Sequence, residues 1–253
     1  MMRTDSRYWD DIAAGEDPLP AGWREYARDM HLDLFERWIG RHCGRWLKTD
    51  LFEELNPSRA LVPKLAGPQW VGLDLSSRGA READVPGMVR LVADVRDLPL
   101  RDGTFDGVLS TSTLDHFSAE IELCQALKEL HRVVRPGGLL FLTLDNPQNP
   151  LVRARNLLPA RLGRATGLAP FYVGRTLSQR RGRRALKDAG FLVEASTHLL
   201  HVPFVVGTRL ARYRWYATRV LPRFDRLGGT RLAPFTGHFV AFLAMRPSCP
   251  TQP

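Results

Sequence analysis

Apolar positions along the chain fall into two periods. Residues 22–43, GWREYARDMHLDLFERWIGRHC, set Trp23, Tyr26, Met30, Leu34 and Trp38 at helical spacing and end near Gly40 and Gly44. Short apolar runs of the kind seen in buried parallel strands follow: RWLKTDLF at 45–52, WVGLDL at 70–75, VRLVADV at 89–95, FDGVLSTS at 105–112 and GLLFLTLD at 138–145. Between the last two, IELCQALKELHRVV at 121–134 reads as an amphipathic helix with Ile121, Cys124, Leu127, Leu130, His131 and Val134 roughly on one side. It stops at Pro136-Gly137-Gly138, a turn signal leading into the next strand. Strand, helix, strand in sequence predicts an α/β chain with a doubly wound, mostly parallel sheet.

Composition sets the scale. With 253 residues, 44% apolar and 25% charged, the chain can bury a full-sized core as one domain with an elaboration. The first residues, MMRTDSRYWDD, hold no apolar segment behind a basic start, and no apolar run approaches bilayer length, so a cytoplasmic location is the expectation. Cys43, Cys124 and Cys249 are too scattered for a disulfide framework, and the histidines lack ligand spacing, so no metal is expected. Charge is divided unevenly. Residues 1–150 carry 18 Lys+Arg against 24 Asp+Glu, while residues 151–253 carry 18 against 3. Such a basic half suits nucleic acid, an anionic membrane surface or an acidic substrate, although Arg outnumbers Lys 32 to 4 and can be a plain compositional preference.

In open α/β sheets ligands sit outside the carboxyl ends of the strands. Asp74 closes the second run, where a carboxylate can accept two hydrogen bonds from the vicinal hydroxyls of a ribose. Asp94-Val95 closes the third, where a carboxylate and the next amide can read an adenine edge. An acidic residue after a strand can equally cap the following helix.

Two linked stretches carry a family resemblance: ADVRDLPLRDGTFDGVLSTSTLDHF at 93–117 and ALKELHRVVRPGGLLFLTLDNP at 126–147. They resemble the SAM-dependent methyltransferases of Rossmann-like fold, of the type 11-like kind. GFLVEASTHL and GHFVAFLAMRP, further on, resemble that family's sixth and seventh strands. The resemblance implies a seven-stranded sheet, with residues 1–44 as an N-terminal helical cap, 45–145 as the cofactor-binding core and 146–253 completing the sheet. It implies S-adenosyl-L-methionine as cofactor, Asp74 on its ribose, Asp94 and Val95 at its adenine, and Ser110 with Thr111 lining its methionine end. Asp106 would be structural.

The chain departs from the family after the first strand. Where an acidic residue and G-x-G-x-G are usual, it has Lys48-Thr49-Asp50-Leu51-Phe52-Glu53-Glu54, and no glycine falls between Gly44 and Gly67. Side chains must then replace backbone access, or the pocket is closed. Asp50, Glu53 or Glu54 can pair with the cofactor's ammonium, Lys48 or Thr49 can meet its carboxylate or a hydroxyl, and Phe52 can pack beneath the ribose. A structural Lys48–Glu53 pair is the alternative.

Methyl transfer needs chiefly alignment of an acceptor, with a base where the acceptor enters protonated. His116, oriented by Asp115 or replaced by it, is the candidate, against a helix-start capping role for the pair. The acceptor, a small molecule that is anionic or lipid-like, is expected to meet two insertions, 146–175 and 200–236. The second mixes Arg with Phe204, Trp215, Tyr216 and Phe224. This composition suits a lid or subunit contact, or an interfacial segment on a membrane; nucleic acid ranks behind, since no RNA-binding module is recognised. A degenerate methyltransferase-like binding protein is the rival function, and an NAD-type oxidoreductase is disfavoured by the absence of G-x-G-x-x-G.

Overall fold

The computed structural model describes residues 5–40, 42–158, 162 and 171–248. Cys249, together with 159–161 and 163–170 of the first insertion, lies outside the described residues.

Seven strands form one sheet: β1 (Arg45–Lys48), β2 (Gln69–Asp74), β3 (Val89–Val92), β4 (Phe105–Thr111), β5 (Val134–Asp145), β6 (Leu192–Leu199) and β7 (Phe239–Met245). Their order is β3-β2-β1-β4-β5-β7-β6. The first five run parallel, and β7 lies antiparallel between β5 and β6. The strand order reverses between β1 and β4, which places a crevice at their carboxyl ends.

Helices with fully described bounds are α1 (Ser6–Ala14), α2 (Ala21–Ile39), α3 (Ser77–Glu82), α4 (Glu120–Val133), α5 (Pro150–Asn156), α6 (Gln179–Asp188), α7 (Phe204–Leu210), α8 (Arg214–Arg219), α9 (Leu221–Phe224) and α10 (Ala233–Thr236). Strand alternation divides the core into two layers. Trp46 joins Trp23, Phe35, Trp70 and Phe141 on one face, while its neighbour Leu47 joins Leu73, Val108, Leu127 and Leu140 on the other. Each fully buried side chain of this size contributes about 1.5–3 kcal/mol. Gly107 in β4 makes room for the first layer, since a Cβ there would lie 2.5 Å from the Trp46 ring.

Three boundaries differ from the sequence reading, each for a local reason. The run at 45–52 leaves the sheet after Lys48, because the Asp50 carboxylate accepts the Phe52 N–H at 2.8 Å and a 3-10 turn follows at Glu53–Leu55. The run at 89–95 ends at Val92, and the Asp94 carboxylate then accepts the Arg96 N–H at 2.9 Å. Strand β5 starts at Val134, ahead of the Pro-Gly-Gly turn, by pairing with Phe105 across an irregular register. The inner face of α4 is also turned from the one expected: Leu123, Ala126, Leu127 and Leu130 are buried, while Ile121 is exposed.

Candidate functional site

Two adjoining cavities open at the carboxyl ends of β1, β2 and β4. The first, about 740 Å³, is lined by Thr49, Asp50, Phe52, Asp74, Asp94, Val95 and His116 together with Trp9 and Ile12 of α1. The second, about 990 Å³, takes Asp50, Phe52, Thr111, Asp115 and His116 and adds His31, Ser112, Asp145, Arg155 and His238. Asp50, Phe52, His116 and Phe171 line both, so the two cavities adjoin at these residues. Lys48 and Ser110 line neither.

Lys48 is fully buried, with its Nζ 2.8 Å from Glu53 Oε2 and donating to Thr111 Oγ1 at 2.9 Å. Burial opposes its charge, but Glu53 and Asp50 more than compensate and raise its pKa. The lysine therefore braces the turn after β1 from below, the structural pairing that the sequence left open. Ser110 is likewise internal and accepts the Thr49 hydroxyl at 2.9 Å.

Asp74 receives the Leu51 N–H at 3.0 Å and the Ser76 N–H at 2.7 Å. Its carboxyl is pushed up to about 7, first by burial and then by the charge of Asp50. Burial also raises Asp50, against the pull of Lys48. Two carboxylates on one cleft wall, both disfavoured as anions, create a place for a cation or for hydroxyl donors. Asp94 stands differently. Burial would raise its carboxyl, but Arg96 chelates it and holds it below the usual range, and Arg96 also pairs with Glu122. Thus a guanidinium joins the cleft wall where a bare carboxylate was expected.

Helix α1 closes the first cavity from above. Asp10 accepts the Ser76 hydroxyl at 2.6 Å and the Arg78 N–H at 3.0 Å, and the Tyr8 hydroxyl accepts the Tyr172 N–H at 2.8 Å. Trp9 consequently lies against His116, with ring centroids 4.7 Å apart.

A methyltransferase domain model matches residues 57–142. The chain is 36% identical over 132 residues to a tRNA (carboxymethyluridine(34)-5-O)-methyltransferase of Arabidopsis thaliana, covering 48% of this chain and 33% of that protein. It is 37% identical over 122 residues to a malonyl-[acyl-carrier protein] O-methyltransferase of Pseudescherichia vulneris, covering 47% of each. The chain thus spans a third to a half of the length of these curated relatives. Among solved structures, a complex of the Haloferax volcanii Trm112 methyltransferase activator with a methyltransferase superposes with a TM-score of 0.61 at 16% identity, over 98% of this chain and 100% of that one. The chain has the Rossmann-like fold of SAM-dependent methyltransferases, and about a third of it matches a methyltransferase domain.

The residues of the first cavity fit that cofactor. The Asp50–Asp74 wall suits a sulfonium, an ammonium or ribose hydroxyls, and Ile12, Val95 and Phe117 supply apolar surface for a base. Phe52 stands at the junction of the cavities, 5.1 Å from Phe171 and beneath Arg59, rather than filling either one.

The second cavity holds groups that the sequence reading missed. Ser112 adopts φ 50°, a left-handed conformation costly for serine, and its buried Oγ has no hydrogen-bond partner. The Oδ1 of buried Asp115 also lacks one, while its Oδ2 accepts the Asp145 N–H at 2.9 Å. Burial raises the Asp115 carboxyl to about 6, with Asp145 adding to the rise and His116 opposing it. Asp145 pairs with Arg155, which also contacts His238 Nε2 at 3.1 Å. Asp145 ends β5 and could have been found by the strand-end rule; Arg155 and His238 carry no local signal.

Proposed function

We propose that the chain transfers a methyl group from S-adenosyl-L-methionine to an oxygen or nitrogen of a small acceptor held in the second cavity. The observation that supports this reading is the shared lining: Asp50, Phe52, His116 and Phe171 border both cavities, so ligands in the two would lie next to each other beside them. Bound S-adenosyl-L-methionine supplies an activated methyl on a cationic sulfur. The chain supplies position and a proton acceptor. His116 Nδ1 lies against the Tyr172 carbonyl; with the proton there, Nε2 keeps its lone pair for the acceptor's proton. Asp115 Oδ1 lies 3.9 Å from that nitrogen, beyond hydrogen-bond distance, so the Nδ1 contact with Tyr172 is what orients the ring.

The aromatic walls, Trp23, Phe52, Phe171, Phe204 and Phe239, favour an acceptor with a substantial apolar body. A lipid-like acceptor fits them, and contact of the 200–236 segment with a membrane would bring such an acceptor within reach. By their names, the two relatives given above act on a tRNA and on a carrier-bound malonyl group, so they do not agree on an acceptor.

Titration calorimetry with S-adenosyl-L-methionine, followed by transfer of a labelled methyl to fractionated small-molecule and lipid extracts, tests the proposal. Binding and transfer, with transfer lost in His116→Gln while binding persists, is the expected result. The glycine-free turn after β1 favours a second reading, a binding protein without turnover; binding with no labelled product in any fraction would select it.

A further inference from the structure

The segment that follows β6 shows the solvent an unusual surface. Seven arginines lie between 200 and 236, at 209, 212, 214, 219, 223, 226 and 231, and all are exposed. The one acidic residue there, Asp225, is occupied by the Tyr26 hydroxyl at 2.6 Å. Among the arginines, Trp215 is 61% exposed, Leu232 56%, Phe235 55% and Val206 47%.

Each short helix has a clear inner side. Ala211, Tyr216, Leu221 and Ala233 are buried, and α8 packs on both α2 and α9, so the arginines and large apolar side chains are left on the outer side. Large apolar side chains exposed within one arginine-rich segment are what a second apolar phase would cover. Arginine among large apolar groups matches the boundary between anionic headgroups and acyl chains. RNA would reward the arginines and the tryptophan face but not Val206 or Leu232.

We infer that α7, α8 and the segment through Phe235 form a docking surface for anionic lipid bilayers. Such docking does not require the transfer reaction. It does explain a placement: Phe204 of α7 lines the second cavity, while Val206 and Arg209 of the same helix face outward. A bilayer on this surface would sit next to one wall of that cavity.

The test is co-sedimentation of the full chain with vesicles of phosphatidylcholine alone and of phosphatidylcholine mixed with phosphatidylglycerol, at low and raised salt. Binding to the mixed vesicles only, weakened by salt, is expected. Arg212→Gln/Arg214→Gln/Arg219→Gln should lower partitioning by roughly a hundredfold, about fivefold for each arginine. Trp215→Ser/Phe235→Ser should weaken it too, with circular dichroism confirming the fold and Leu232→Ser as a second probe. The inference is overturned if the folded chain ignores mixed vesicles at low salt, if all three apolar substitutions leave binding intact, or if a single-stranded RNA oligonucleotide outcompetes the vesicles. Cofactor binding is measured separately, so a failure here is distinct from failure of the proposed activity.

Discussion

Replacing Lys48 by methionine tests whether the turn after β1 is held from below by charge. Methionine keeps most of the apolar stem and removes the ammonium. Burial by itself would raise the Glu53 carboxyl, and Lys48 is what holds it below the usual range. In the variant Glu53 loses its partner at 2.8 Å, and Thr111 loses a donor at 2.9 Å. Removing one member of a buried pair costs about 3–5 kcal/mol, a large share of the ~5–15 kcal/mol that holds a typical domain together. Replacing both members is far milder, so Lys48→Met/Glu53→Gln should recover most of the loss. Urea unfolding followed by tryptophan fluorescence, with the slope checked for constancy, measures both. A single variant within ~0.5 kcal/mol of the parent would refute the reasoning. So would a variant of unchanged stability that no longer binds S-adenosyl-L-methionine, since that would make Lys48 a ligand.

Asp74→Asn should weaken S-adenosyl-L-methionine binding by about tenfold to a hundredfold, the worth of a hydrogen bond to a charged group, as read by calorimetry. The Asp74 carboxyl lies at about 7 in the fold against 3.8 as its ordinary value, so its proton stabilises the ligand-free chain fully below that lower value, and this contribution is lost as pH rises through about 7. A bound cation favours the anion; affinity should therefore rise across this window with proton release, and calorimetry in buffers of different ionisation enthalpy that shows no release would refute it. Gly107→Ala forces a Cβ to within 2.5 Å of the Trp46 ring and should cost ~1–3 kcal/mol in thermal or urea unfolding.

The sheet was legible because its central strands are buried on both faces and read as apolar runs; the strand ends were not, because single carboxylates turn the chain. Asp50 and Asp94 each capture a nearby amide and stop a run that hydrophobicity alone would continue. Asp74 was legible because topology puts ligands at strand ends, and the structure sets it in the first cavity. Trp9 was not, because its position depends on Asp10 reaching the start of α3, 66 residues away. The same holds for His238, which meets Arg155 across 83 residues.

The glycine-free turn also shows how the chain can manage without close backbone approach. Leu51 turns inward and is fully buried, and Gly72 of β2 provides the space, since a Cβ there would lie 2.6 Å from Leu51 Cδ2. The Leu51 N–H, directed at Asp74, fixes that carboxylate instead of meeting a ligand. A carboxylate held this way extends beyond the main chain, so contact with a cationic cofactor no longer requires the backbone itself to come near. Under the proposed function, Gly72 and the anchored Asp74 carboxylate would take the part of the missing glycine, so loss of the usual motif need not close the cleft.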